Sequence, residues 1–308
     1  MSELVRFVTS EAGKRLDQVV TEFLGERLSR SQVQQVIRTG GVTVDGVVLK
    51  PGIKLRGGEE ISVTLPDPPQ SDLVIAQAIP LKVMYEDDDL AVIDKPAGLV
   101  VHPGAGNRQG TLVNALLARY PEIAQMNYAP ERRGIVHRLD KDTSGLLVVA
   151  RRGQMLQRLA GQFQKRTVEK RYLALVEKAP PTSIGRITAP IARDPANRQK
   201  MTVLRSGRPA ETEYRCVEWF SDGKVLVEIH LLTGRTHQIR VHMAFIDCPI
   251  VGDTVYGRRQ RSAPIQRQFL HASKLCIDHP RTRERLCFES PLPPDLEQAV
   301  DFLRKKPR

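Results

Sequence analysis

Aromatic residues are scarce in this 308-residue chain: phenylalanine, tyrosine and tryptophan together make up 5%, with a single Trp. With so few rings, planar arginine side chains would have to take over much of the stacking role that aromatic platforms play elsewhere. Long apolar runs are missing too. No stretch approaches the roughly 18 consecutive apolar residues of a membrane helix, and the N-terminal MSELVRFVTSEAGKRLDQ lacks the apolar centre of a signal peptide. The cytoplasm is therefore the expected compartment. Cysteine is confined to Cys216, Cys248, Cys276 and Cys287 with no CxxC pair, so neither a zinc knuckle nor a disulfide framework is expected. Internal repeats and low-complexity tracts are absent.

What the chain does contain is basic charge and enough apolar side chain for a core. Hydrophobic residues reach 41%, and the length suits one large domain plus a small one. Lys and Arg total 47 against 35 Asp and Glu, a net charge of +12 that points to polyanionic partners. The basic residues gather in RRGQMLQRLAGQFQKRTVEKR (151–171), RDPANRQKMTVLRSGR (193–208), RRQRSAPIQR (258–267) and the tail RKKPR. Several such patches along one domain suit a surface that tracks a phosphate backbone.

Periodicity divides the chain. Leu16, Val19, Val20, Phe23 and Leu24 recur at helical spacing. Ser29 with Gln32 three residues on is a capping-box pattern that opens a second helix, with Val33, Val36 and Ile37 on one face. VTVDGVVL sets Asp45-Gly46 between two β-rich arms, the chemistry of a tight hairpin, and EEISVTL supplies a further strand. Through KRLDQVV and LSRSQVQQVIRTGGVTVDG this region resembles the S4 (αL) RNA-binding module over most of residues 13–64. Residues 1–65 carry nine Lys and Arg against eight Asp and Glu, so bulk charge makes no case for RNA there. The resemblance does, and it implies RNA contacts from Arg27, Arg30, Ser31, Gln34 and Arg38.

PDPPQSD breaks both periodicities with three prolines, and a linker is expected over 66–79 between a domain at 1–65 and one at 80–308. In the larger part, LKVMYEDDDLAVIDKPAGLVV, YLALVEK, GKVLVEIHLL and LCIDHP read as strands, and LVNALLARY and MLQRLAGQF as helices. Such a mixture without strict alternation predicts an α+β domain on a mixed or antiparallel sheet. The sequence encodes no oligomeric state, and a monomer is favoured.

The densest chemistry lies in GIVHRLDKDTSGLLVVAR, residues 134–151, where His137, Arg138, Asp140, Lys141 and Asp142 stand directly before a buried strand opened by Gly145. A calcium loop starting at Asp140 fails because its twelfth position is Arg151 and its later positions are apolar strand. HPGAGNRQG matches neither phosphate-cradling glycine pattern. His237 and His242 in GRTHQIRVHM are five apart and share no helix face, so a metal site is not expected there. What remains is a carboxylate flanked by permanent cations, either a cap and ion-pair partner or a charged group available as nucleophile or acid/base.

GIVHRLDKDTSGLLVVAR resembles the signature of the RluA family of pseudouridine synthases. VEKRYLALV, LLTGRTHQIRVHMAFIDCPIVGDTVYG and VVHPGAGNRQGTLVNALLARYPEIA match in the same order, so the resemblance spans Tyr85 to Pro294. It implies a pseudouridine-synthase domain built on a mixed, largely antiparallel sheet with flanking helices. It also implies a cofactor-free isomerisation in which Asp140 is the nucleophile, Tyr172 contacts the flipped base and Arg240 pairs with Asp140. Arg138 would fill the stack the uridine leaves, with His137, Arg235 and His237 as further substrate contacts. No catalytic role falls to Asp142. The implied partner is large-subunit rRNA or a ribosomal precursor; another rRNA or tRNA site, or a non-catalytic assembly factor, are the alternatives.

Overall fold

In the computed structural model, which describes residues 4–10, 12–28, 30–65, 74–104, 106–126, 128–257 and 263–306, the chain divides into two units, Met1–Leu73 and Val74–Arg308. The first contains β1 (Leu4–Val8), α1 (Leu16–Leu24), α2 (Arg30–Arg38), β2 (Val42–Val44), β3 (Val47–Val48) and β4 (Glu60–Thr64). Its sheet runs β1-β4-β2-β3, antiparallel throughout. The apolar helix stripes close on that sheet and bury Leu16, Val20, Val33, Ile37, Ile61 and Val63 completely. Asp45 and Gly46 join β2 to β3 with φ of 49° and 79°, the double positive φ of a two-residue type I′ hairpin turn. β1 was not anticipated; its pairing with β4 reaches across more than fifty residues. The Ser29 cap and the Ser31 side chain fall outside the described residues.

One buried charge holds this unit's helices together. Asp17 is fully buried and accepts hydrogen bonds from Arg15 Nε at 2.9 Å, Gln34 Nε2 at 2.6 Å and Arg30 Nη2 at 3.2 Å. Burial by itself would raise its pKa, but the bonds from Arg15, Gln34 and Arg30 outweigh that and bring it down to about 2. Arg30 and Gln34, which the S4 resemblance assigns to RNA, thus tie α2 to α1. The Arg30 side chain remains half exposed.

The second unit contains β5 (Lys82–Glu86), β6 (Leu90–Lys95), α3 (Leu112–Arg119), β7 (Ser144–Ala150), α4 (Gly153–Lys165), β8 (Glu169–Val176), β9 (Ile184–Thr188), β10 (Ile191–Arg193), β11 (Met201–Val203), β12 (Glu211–Trp219), β13 (Val225–Leu231), α5 (Gln238–Phe245), β14 (Leu270–Asp278), β15 (Arg285–Glu289) and α6 (Pro294–Arg304). The main sheet runs β5-β6-β7-β14-β8-β13-β12-β9, with β15 also paired to β14, while β10 and β11 form a separate hairpin. Only β7 and β14 pair in parallel, so the sheet is mixed and largely antiparallel, as expected. Every residue of β7 is buried. Gly145 makes the close approach possible: its φ is 111°, and a Cβ there would lie 2.3 Å from the Ala272 carbonyl oxygen. Among the described residues no helix is long and apolar enough to cross a membrane.

Two expectations need correction. The linker assigned to 66–79 ends earlier, because residues from Val74 on belong to the second unit. Asn114 of α3 donates to the Ile75 carbonyl at 2.8 Å and accepts from the Gln77 amide through its own carbonyl at 3.0 Å. Residues 66–73 lie outside the described set. The cysteines are also not all free: Cys276 and Cys287 are directly opposite in the β14–β15 register and form a disulfide, leaving Cys216 and Cys248 as thiols. That pairing depends on strand register, which no spacing motif announces.

The Asp17 pKa carries a pH dependence of defined sign. Because it is depressed below the unfolded value of about 3.9, its contribution is present above pH 4 and is lost as pH falls toward 2. With solvent screening of the exposed guanidiniums, Asp17→Asn is expected to cost on the order of 1–2 kcal/mol at pH 7. Hydrogen exchange of the α1 and α2 amides should show that difference at pH 7 and its disappearance near pH 2.

Candidate active site

The loop before β7 is built as a substitute strand. β7 pairs with β6 along its length but with β14 only at Ser144 and Gly145, so its later backbone groups need other partners. The returning chain supplies them: Gly134 carbonyl accepts the Ala150 amide at 2.8 Å, Ile135 bridges Val149, and His137 Nε2 accepts the Val148 amide at 3.0 Å. His137 also stacks on Phe163, with centroids 4.6 Å apart. Burial first, and the Lys170 charge second, press its pKa down to about 3, so the ring stays neutral and keeps its acceptor. His137 therefore has a backbone-holding task that the resemblance did not imply, although it also borders the groove described below.

A buried lysine and a partly buried arginine hold the tip of that loop. Lys95 at the end of β6 is completely buried and donates to the carbonyls of Pro96 (2.8 Å), Leu99 (2.9 Å) and Lys141 (3.0 Å). Its burial lowers its pKa to about 8 against the opposing pull of Asp142 and Asp140. Arg267 donates to the Asp142 carbonyl at 3.0 Å. The backbone on the C-terminal side of Asp140 is thus fixed from both sides, and the Thr143 amide closes a turn onto the Asp140 carbonyl at 3.1 Å.

Asp140 meets α5 at this tip. Arg240 Nη1 donates to Asp140 Oδ2 at 3.1 Å, while its Nε and Nη2 grip Asp253 Oδ2 and Oδ1 at 2.7 and 2.9 Å. The expected Asp140–Arg240 pair is present, yet the two-point clamp belongs to Asp253, to which the sequence reading gave no role. Burial opposes the charge on Arg240, and Asp253 followed by Asp140 outweighs it, so the guanidinium pKa is raised. Asp253 is held in turn by the amides of Val255 and Tyr256 at 2.9 and 3.0 Å. Burial would raise its pKa, but Arg240 lowers it on balance.

The remaining candidates arrange themselves around this triad. Tyr172 on β8 lines the same pocket as Asp140; burial and then the Asp140 charge raise its pKa, so it remains a neutral phenol. His237 Nε2 stands 3.9 Å from Asp140 Oδ1. His242 is buried against Thr212 Oγ1 and the Ala189 carbonyl, both at 2.9 Å, which places it in the scaffold. Gln238 fixes the turn between β13 and α5 by bonding Thr233, the Arg235 amide and the Glu211 carbonyl. Arg235 itself donates to the Pro209 carbonyl at 3.1 Å.

From this pocket a groove of about 740 Å³ opens, within the size range of ligand clefts. Arg132, Arg138, Arg166, Lys170, Arg208 and Arg235 line it, with Asp140 as the acid among them. Lys170, Arg166 and Arg208 fall inside basic runs that the sequence shows but does not single out. In the first unit, Arg27 ends a turn of 3-10 helix and Arg38 is exposed in the last turn of α2.

A carboxylate inside a cation-lined groove fits a polyanionic substrate. Residues 89–245 match the RNA pseudouridylate synthase family and residues 14–61 the S4 domain. The chain belongs to the RNA pseudouridine synthase family. It is 46% identical over 277 residues to an uncharacterized RNA pseudouridine synthase of Bacillus subtilis, covering 90% of each chain. It is 45% identical over 307 residues to ribosomal large subunit pseudouridine synthase D of Nitrosomonas europaea, covering 96% of this chain and 86% of that one. Among solved structures, the human RNA pseudouridylate synthase domain containing 4 protein aligns with TM-score 0.57 and 28% identity, over 74% of this chain and 95% of that one. This enzyme is therefore an isomerase whose substrate is RNA.

The Asp253 clamp gives a direct expectation. Asp253→Asn cannot accept from both guanidinium nitrogens, so Arg240 loses its fixed orientation toward Asp140. Single-turnover rates on RNA should fall roughly 10- to 100-fold, with near-parental RNA affinity in a filter-binding assay.

Proposed function

We propose that this enzyme isomerises specific uridines of large-subunit rRNA to pseudouridine, with Asp140 as the nucleophile acting on a nucleotide flipped out of the RNA. The observation that carries this reading is the Asp140 carboxylate, bonded at 3.1 Å to a buried arginine and opening into a cation-lined groove. The reaction breaks the bond from N1 to C1′, turns the base and joins C5 to C1′. A charged oxygen can serve it by adding to the uracil ring, by attacking C1′ or by removing a ribose proton. All three routes require a positioned carboxylate, which the bond from Arg240 supplies.

Reaching the nucleoside means extruding it from paired or stacked RNA at a cost of a few kcal/mol. Arg138, exposed on the groove, is suited to occupy the vacated stack, since a planar guanidinium on a base contributes on the order of 1–3 kcal/mol. Tyr172, a neutral phenol beside Asp140, is placed to contact the base and to assist proton movement from C5. Arg132, Arg166, Lys170, Arg208 and Arg235 would follow phosphates, and the S4 unit would add a second RNA contact through Arg27 and Arg38. The large-subunit target is supported by relatives named ribosomal large subunit pseudouridine synthase D at 43–46% identity.

Asp140→Asn should fold normally and bind RNA, yet release no tritium from [5-³H]uridine-labelled rRNA above background. Pseudouridine mapping in cells with and without the gene should show the loss in large-subunit rRNA. Tritium release by the variant at the parental rate would remove Asp140 from the mechanism, and a loss confined to tRNA would reassign the target.

A further inference from the structure

Behind the pocket stands Tyr256, a side chain that does not line it but touches the residues that do. Its backbone amide is bound by Asp253, and its ring lies beneath the Arg240 guanidinium at 5.1 Å and edge-on to His237 at 5.7 Å. Among the described residues its hydroxyl has two partners. It accepts the Met201 backbone N–H at 2.8 Å and lies 2.9 Å from His237 Nδ1.

Proton counting decides the second bond. A phenol has one proton to give. With the Met201 amide already donating to the oxygen, both described partners of the hydroxyl are satisfied when that proton goes to His237 Nδ1 as the bare, accepting nitrogen. A neutral imidazole holds a single N–H, so the proton of His237 sits on Nε2. Burial keeps the ring neutral, lowering its pKa by more than the nearby Asp140 raises it. Nε2 is the nitrogen turned toward Asp140 and the pocket, and at 3.9 Å from Oδ1 its N–H is beyond hydrogen-bond range of the carboxylate. Among the described residues the donor is therefore unspent. His237 is also held at φ 55°, the left-handed region, immediately before α5, which fixes where the ring points.

We propose that Tyr256 is a positioning residue that locks His237 as the Nε2–H tautomer, so that His237 donates a hydrogen bond to a substrate oxygen, a uracil carbonyl or a ribose hydroxyl, beside Asp140. The proposal rests on the reading of Asp140 as the reacting group. It assigns His237, named from the sequence only as a substrate contact, the part of hydrogen-bond donor. Met201 belongs to the β10–β11 hairpin, so the same hydroxyl also couples the His237 tautomer to the seating of that basic arm.

Long-range ¹H–¹⁵N spectra of ¹⁵N-histidine protein test this without reference to activity. The chain has seven histidines, and His237 is assigned as the signal missing from His237→Ala. The parent should show His237 with its proton on Nε2, and Tyr256→Phe should shift it toward the Nδ1–H form. The same variant should lose roughly 10- to 100-fold in kcat while KM stays within about threefold. Adding Tyr256→Phe to His237→Ala should slow that protein no further. An Nδ1–H signal in the parent would overturn the proposal, as would a full additional loss in the double variant. Activity in Asp140→Asn would instead defeat the reading of Asp140 and leave the tautomer assignment standing.

Discussion

Arg240 lies between two carboxylates, and the site depends on how it divides its nitrogens. Two go to Asp253 and one to Asp140, with the residue only 6% exposed. A buried arginine with one acid would spend its charge on that acid. Here Asp253 neutralises Arg240, and Asp140 is tethered through a single oxygen. Arg240 bonds Oδ2 of Asp140, and Oδ1 faces His237 Nε2 at 3.9 Å. On the proposed reading of Asp140 as the reacting group, this division serves it better than a symmetric salt bridge, which would occupy both oxygens.

The scaffold around the triad limits motion rather than adding further charge to the substrate side. Lys95 and Arg267 hold the carbonyls of Lys141 and Asp142, and His137 holds a β7 amide. The two cations hold loop carbonyls just before β7, and His137 replaces a strand partner that the sheet does not provide. The loop that carries Asp140 is consequently attached to a fully buried strand of the larger unit, and a positional error at Asp140 would require disturbing that core. The groove side is different: its arginines are tethered loosely or exposed, which suits contacts with phosphates along a flexible polymer.

Much of this was legible in the sequence where the signal is local. The apolar run Leu146–Val149, the Asp45-Gly46 turn, the stripes of α1 and α2 and the helices at 112–119 and 153–165 follow from periodicity and turn chemistry. Asp140, Tyr172 and Arg240 were reached through motifs, and the structure brings them together although Asp140 and Arg240 are 100 residues apart. What stayed hidden is made by distant contacts. Asp253 lies within a quoted motif, but its function appears only when α5 packs beside its turn. Lys95 reads as one more surface lysine until its three carbonyl partners converge. The Cys276–Cys287 bond, the strand β1 and the attachment of residues 74–79 to α3 all depend on register or docking, which local spacing does not encode. Conversely, Arg30 and Gln34 look like RNA ligands by position, yet a buried Asp17 on the neighbouring helix claims their hydrogen bonds.

The central claim is that a planar, forked cation holds the reacting carboxylate in place, which a point charge cannot do. Arg240→Lys keeps the charge and removes the fork, so tritium release from [5-³H]uridine-labelled RNA by that variant is the most direct measurement. The account predicts a loss of at least about a hundredfold in a protein that unfolds like its parent and still binds RNA. Parental turnover by folded Arg240→Lys would contradict it.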